Sequence, residues 1–486
     1  MGEETPTGTA ARLSRATISR YAVGSIGTGG FATLPGLVLT YYLTDSLGVT
    51  ALLAGVIVAV AKIWDVAIDP VVGALTDADL ARHGTRRRLM LVGALSLPVL
   101  FALTFAVPPA LGPVVGAIWV LIAFLLTATA FSLFQVPYIA LPAELTENYD
   151  ERTRLLTWRV VVLTFAILLF GAGGPVLRRL TGDPITGYLL MGIVAGVVIG
   201  LGMLVAAGVA GRTRRRLAGM TAAATGRAES AELIGGSVVG ETPARRVPLG
   251  EDARSSPGRV RDNFVAAFET LRRSQPFRAL LAAFFLQALA TGLMLAGAQY
   301  LATWVLRSED AVTFLFVALI APALLAAPAW GIVARRIGKE RAFGCASVLF
   351  AAAAASTIGA QLAPGVWLYV SVGLAGVAYA GMQSLPMAML PDVISHDAVR
   401  HGPGRAGAFG GVWTAGETTG FALGATVLSI VLAATGYLER TATETVTQPA
   451  LAVTGIVVSF SLVPAGLVLL SLVPLARYRL RRGDIE

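Results

Sequence analysis

Residues 62–73 read KIWDVAIDPVVG. They interrupt the apolar run LLAGVIVAVAKIWDVAIDPVVGAL with one lysine and two aspartates, Lys62, Asp65 and Asp69. A charge near a bilayer centre costs about 3 kcal/mol or more, so such groups usually face a water-filled cavity and have a function. Asp65 and Asp69 stand at i and i+4, which puts both carboxylates on one helix face, and Lys62 falls on the same side. Two close carboxylates in a low dielectric either share a proton or hold a cation. A locked internal ion-pair network is the structural alternative, as is snorkelling of Asp69, beside Pro70, to water.

The rest of the chain shows that the run does lie in a membrane. The 486 residues are 55% hydrophobic and 14% charged, with mean hydropathy +0.72; a soluble domain carries roughly 25% charged residues. Twelve apolar runs of spanning length follow one another between residues 19 and 475. Lipid-exposed backbone must satisfy its own hydrogen bonds, and runs of this length do so as helices. The first twenty residues, MGEETPTGTAARLSRATISR, contain no apolar leader, so no cleavable signal is expected. The single cysteine, Cys345, reads as a small packed side chain. His83, His396 and His401 fall in expected loops, which leaves no histidine to carry protons within the membrane.

The net charge of +9 follows topology and leaves no footprint for nucleic acid. Arginines crowd alternate loops: Arg82 with Arg86, Arg87 and Arg88; Arg152 and Arg154; Arg335, Arg336, Lys339 and Arg341; Arg400 and Arg405. The opposite loops are nearly bare, with Arg178, Arg179, Arg307 and Arg440 as exceptions. This positive-inside pattern predicts a multi-pass inner-membrane protein with both termini cytoplasmic.

Composition divides the chain. A cytoplasmic tail (1–18) leads into a six-helix lobe (19–210), a polar middle loop (211–277), a second six-helix lobe (278–476) and a C-terminal tail (477–486). The loop is expected to be mobile over about 212–257, with an amphipathic helix near 259–274 carrying Val260, Phe264, Phe268 and Leu271 at helical spacing. The halves echo each other. GALTDADLARHGTRRR (73–88) and GIVARRIGKER (331–341) each place a charge and then Gly followed by basic residues after an apolar helix. FQVPYIALPAEL (134–145) and MQSLPMAMLPDV (382–393) each carry Gln, two prolines five apart and a terminal acid. Two echoes at equivalent helices predict a duplicated unit: an all-α integral membrane protein, twelve transmembrane helices in two six-helix lobes. The basic loops, with Asp77, Arg86, Arg87, Arg335 and Lys339, read as gate parts that clamp neighbouring helix ends.

Other intramembrane polar groups are candidates for solute contact. Arg159 lies inside helix 5, and Glu417 sits mid-span in helix 11 with Trp413 one turn before it. A ring beside a carboxylate suits a sugar, although a tryptophan in a bundle is more often packing. Gln135, with Tyr138 on its face, and Gln287 and Gln299 are weaker candidates.

KIWDVAIDPVVGALTD, YYLTDSLGV (41–49), LPAELTENYDERTRL (141–155) and NFVAAFETLRRSQPF together resemble the glycoside–pentoside–hexuronide:cation symporters of the major facilitator superfamily, the melibiose-carrier-like family. The resemblance covers nearly the whole chain except the middle loop. It implies cotransport of a sugar or glycoside with H+, Na+ or Li+. The cation site would be Asp65 and Asp69, with Ser132 supporting it, Lys62 before it, and Arg159 touching substrate. The chain also departs from the family. Where galactoside-carrying members have a Lys-Asp pair in helix 1 and an aspartate in helix 4, it has Thr28-Gly29 and Gln135; a tryptophan is replaced by Ile139, an asparagine by Ile68 and a helix-11 lysine by Glu417. Loss of the asparagine, a neutral oxygen ligand, tilts the expected coupling ion toward H+, with Na+ at Asp65 and Asp69 the alternative.

The expectation is therefore a monomeric, cation-coupled secondary transporter without cofactor, moving a small solute across the bilayer by alternating access. Thr28, Gln135, Tyr138, Arg159, Trp413 and Glu417 would line the substrate site. Its same-class rival is transport of an amphiphile such as a lysolipid. An aspartyl protease needs acids facing each other across two helices, whereas these share one, so no enzyme is expected. A non-transporting sensor is the rival of another class; the intact acid pair and gate-like loops count against it.

Overall fold

The computed structural model describes residues 13–146, 149–233, 274–401, 406–478 and 480. Among these, 12 helices are long and apolar enough to cross a membrane: α1 (Arg15–Asp45), α2 (Ala51–His83), α3 (Arg87–Thr104), α4 (Pro109–Pro142), α5 (Arg154–Arg179), α6 (Pro184–Ala210), α7 (Gln275–Val305), α8 (Ala311–Ile337), α9 (Lys339–Gln361), α10 (Trp367–Asp397), α11 (Phe409–Ala434) and α12 (Ala450–Ala476). Large apolar side chains such as Leu325, Val370 and Val99 point off the bundle, 84%, 72% and 62% exposed. So much apolar surface is stable only against lipid.

α1–α6 pack on one another, as do α7–α12, and the two lobes meet where α2 packs on α11, α1 on α7 and α5 on α8. An even number of spans puts the start of α1 and the end of α12 on the same face of the bundle. The seam is tight where side chains are small. Gly55 of α2 receives Ser429 of α11, and Gly171 of α5 lies directly beneath the Phe316 ring of α8.

Three local expectations are corrected. The basic "loops" are mostly helix. α2 continues to His83 and α8 to Ile337, so Asp77 and Arg335 are helical, and the turns fall at Gly84 (φ 65°) and Gly338 (φ 93°). Glycine adopts that backbone at little cost, so the glycines, not the charges, end the helices. His83 likewise ends α2, and His396 and His401 lie in the last turns of the helix Trp367–His401. The helix of α6 runs on to Leu233, so the expected middle loop begins in helix; its Ala, Arg, Met and Leu are strong helix formers. The expected amphipathic helix near 259–274 lies almost wholly outside the described residues. Finally, Cys345 is exposed on the apolar surface of α9 and is not packed in the core.

Candidate functional site

α2 presents its three charges as the i, i+3, i+7 register requires. Lys62 Nζ donates to Asp65 Oδ2 at 2.8 Å, with the two side chains 29% and 19% exposed. Asp69 lies one turn further on, within hydrogen-bonding reach of the Ser132 hydroxyl of α4. The Lys62 ammonium does not use up the pair, because Asp65 Oδ1 is buried without a hydrogen-bond partner. Trp64 Nε1 donates to Thr129 Oγ1 at 2.9 Å, a further link from α2 to α4. The result is two carboxylates, one cation and one hydroxyl along a two-helix seam. Such a set can take up a proton or a monovalent cation on free oxygen lone pairs.

A second polar cluster joins α1, α4 and α5. Thr28 Oγ1 donates to Gln135 Oε1 at 2.8 Å. The Tyr138 hydroxyl donates to the Tyr21 carbonyl at 2.9 Å and shares a hydrogen bond with Ser25 Oγ, also at 2.9 Å. The Arg159 guanidinium lies 5.4 Å from the Tyr138 ring centroid, and its buried Nε has no partner. Thr28, Gln135 and Arg159 thus fall on one wall, whereas Tyr138, expected to line it with them, is fully buried behind, its ring stacked on Tyr21 and Phe134. The other two lie across the seam on α11. Trp413 is stacked on Phe284 of α7 (centroids 4.4 Å apart) and only 2% exposed. The face expected to stack on a sugar is therefore covered by another ring. Glu417 is half-buried near Tyr379 of α10, whose hydroxyl accepts from Gln383 Nε2 at 2.8 Å. Gln287 is internal glue, donating to Ser347 Oγ and Ser471 Oγ within its own lobe.

Of the five residues expected to be gate parts, Asp77, Arg86 and Lys339 form clamps within their own lobes. Arg86 reaches Asp77 of α2 at 2.7 Å and Glu144, just beyond α4, at 2.6 Å. Burial works against that charge, but Glu144 and Asp77 outweigh it and hold the guanidinium pKa above its ordinary value. Lys339 reaches Asp392 of α10 at 2.5 Å and the Ala388 carbonyl at 3.0 Å. Glu144 and Asp392 are the acids that close the two proline-containing echoes, so the repeated motifs meet each other in space. Arg87 and Arg335 are exposed and make no ion pair among the described residues.

Sequence reasoning missed a third group, at the end of the bundle away from the chain termini. Asp45, its side chain fully buried, accepts from Thr44 Oγ1 and Tyr437 at 2.7 Å each and from Arg440 Nε at 3.2 Å. Thr44 in turn shares a 2.7 Å hydrogen bond with Tyr300. Arg178 donates to Glu309 at 2.8 Å and Tyr188 at 2.9 Å, and Arg179 pairs with Asp310. A short antiparallel bridge, Leu47 with Thr441, ties the α1–α2 and α11–α12 connections. Burial would lower the Arg440 pKa; Tyr41 and Asp45 outweigh it and hold it above its ordinary value. A cavity of about 230 Å³ lies among these groups. Every one of these ion pairs joins one lobe to the other. The signal in the sequence was Arg178, Arg179 and Arg440, basic residues in otherwise bare loops.

Two lobes of six helices, internal clamps at matching positions and an acid pair on the seam describe a transporter. A family model described as "MFS/sugar transport protein" matches residues 20–247 and 244–482. The chain belongs to this family. It is a membrane transporter, not an enzyme. A relative from Synechocystis, named "Uncharacterized symporter sll1374", is 26% identical, the match covering 96% of this chain and 95% of that one. The mouse "Sodium-dependent lysophosphatidylcholine symporter 1" is 25% identical over 78% of the transporter and 70% of its own length. Among solved structures, a D-xylose–proton symporter superposes with a TM-score of 0.61 at 14% identity, covering 91% of the transporter and 96% of that chain. That likeness bears on the fold alone.

Proposed function

We propose that the transporter couples movement of a sugar or glycoside to a cation, H+ before Na+, loaded at Asp65 and Asp69. The observation that carries this is the α2–α4 seam, where Asp65 keeps a buried oxygen without a partner while Lys62 holds the other, and Ser132 supports Asp69. Thr28, Gln135 and Arg159 form the solute-facing wall of one lobe, backed by the buried Tyr138, and Glu417 faces it from the other. Cation loading and solute binding favour the same closed arrangement, so each raises the affinity for the other by the same factor. With both termini placed in the cytoplasm by the arginine distribution, the ion-paired end faces the exterior. A single chain carries both lobes, so a monomer suffices.

The test is a pH electrode in a dense suspension of expressing cells, to which glycosides, pentosides and uronides are added with and without Na+. Medium alkalinisation on adding one compound, lost in Asp65→Asn, is the expected result. A second reading, transport of an amphiphile, is favoured because Thr28 and Gln135 bond each other where carboxylates would grip a galactoside, and by the lysolipid symporter among the relatives. Na+-dependent uptake of labelled lysophosphatidylcholine, with silence for every sugar, would replace the first reading with the second.

A further inference from the structure

Glu417 is charged at neutral pH in water, yet it lies more than two turns inside α11, in a lobe whose other intramembrane charges sit at helix ends. It makes no hydrogen bond or ion pair among the described residues. The neighbouring elements supply no counter-charge. α7 carries Arg278 in its first turn and no charge beyond it, and α12 carries none. α1 bears Arg15 and Arg20 at one end and Asp45 at the other, the last already held by Arg440. α2 offers Lys62, which is bonded to Asp65, along with Asp69. α10 offers Tyr379, a neutral phenol. On its α7 side, α11 is pressed against backbone: a Cβ at Gly420 would stand 2.9 Å from the Phe285 carbonyl, and one at Gly424 2.3 Å from the Leu293 nitrogen. No ion fits there.

An unpaired carboxylate in such a place has two ways to lose its charge penalty, a bound cation or a proton. A cation needs several oxygen ligands, and Glu417 has no second carboxylate beside it; a proton needs one oxygen. We infer that Glu417 is a second proton-binding site of the transporter, on the C-terminal lobe, distinct from Asp65 and Asp69. The carboxylate takes a proton from water in the cavity to become COOH and returns it to water, with no other bond changed. α11 is the helix that packs on α2 at the lobe seam, so both proton sites lie on the two helices that meet there. The inference rests on the coupled-transport reading for its place in the cycle, whereas protonation itself is tested without any solute.

The experiment is infrared difference spectroscopy of the full chain in lipid vesicles, between acid and alkaline buffer, in H2O and D2O. The expected result is a carboxylic-acid carbonyl band that bleaches on alkalinisation and shifts in D2O. Glu417→Gln removes it, Glu417→Asp moves it, and Asp65→Asn and Asp69→Asn leave it in place. The Glu417→Asp variant keeps the test valid if the glutamine variant fails to fold. Two outcomes overturn the inference: spectra unchanged by either Glu417 substitution, or a Glu417 band that neither titrates nor exchanges, which would mark a sealed, permanently neutral side chain. Either result stands whether or not a sugar is ever found to move.

Discussion

Lys62, Asp65 and Asp69 are three charges that one helix turn apart can neutralise only in part. The lysine bonds Asp65 and leaves a second carboxylate, and one Asp65 oxygen without a partner, for the cation of the proposed cycle. We therefore expect Asp65→Asn and Asp69→Asn each to abolish accumulation against a gradient while solute exchange persists in at least one of them; undiminished accumulation in both would remove the coupling assignment. Arg159 should act on affinity. A hydrogen bond to a charged group contributes about 1.5–3 kcal/mol, so Arg159→Gln should raise the half-saturation concentration at least ~10-fold, read from initial uptake rates. This residue chemistry was largely legible in the sequence, since a charge in an apolar run announces itself. The cover over Trp413 was not, because Phe284 lies on another helix and nothing local predicts which ring meets it.

Among the elements, the echoes in sequence became clamps in space. Arg86 with Glu144, and Lys339 with Asp392, pin helix ends at matching places in the two lobes. The sequence showed the motifs but misjudged their form, treating helix ends as loops because charged residues cluster there. Polarity marks where a helix leaves the membrane, whereas Gly84 and Gly338 mark where it stops. Close helix contacts are the other design at this scale. α11 lies on α7 with Gly424 against the Leu293 nitrogen, so Gly424→Ala must push the helices apart. Overpacking of this sort costs about 1–3 kcal/mol. The expected outcome is a lowered thermal midpoint in detergent, with an unchanged midpoint counting against the contact.

At the scale of the molecule, function depends on how the lobes lean. In this conformation they are drawn together by Asp45 with Arg440, Arg178 with Glu309 and Arg179 with Asp310, under a bridge between Leu47 and Thr441. Removing one partner of a buried pair costs about 3–5 kcal/mol, enough to redistribute two conformations. Asp45→Asn and Arg440→Gln should therefore open this end. In a background with Cys345 replaced by alanine and a cysteine introduced at Gln135, labelling from outside by a membrane-impermeant maleimide should rise several-fold in either variant. Equal labelling would mean that the network does not hold the gate.

The sequence by itself determined the membrane class, the helix count, the twofold repeat and the acids within the spans, because hydropathy, spacing and intramembrane charge are properties of short stretches of chain. Only the tertiary structure decided which basic residues close the far end and how the clamps are paired. Arg440 lies 395 positions from Asp45, and their meeting follows from the docking of two separately packed lobes, which leaves no trace in the residues beside either one.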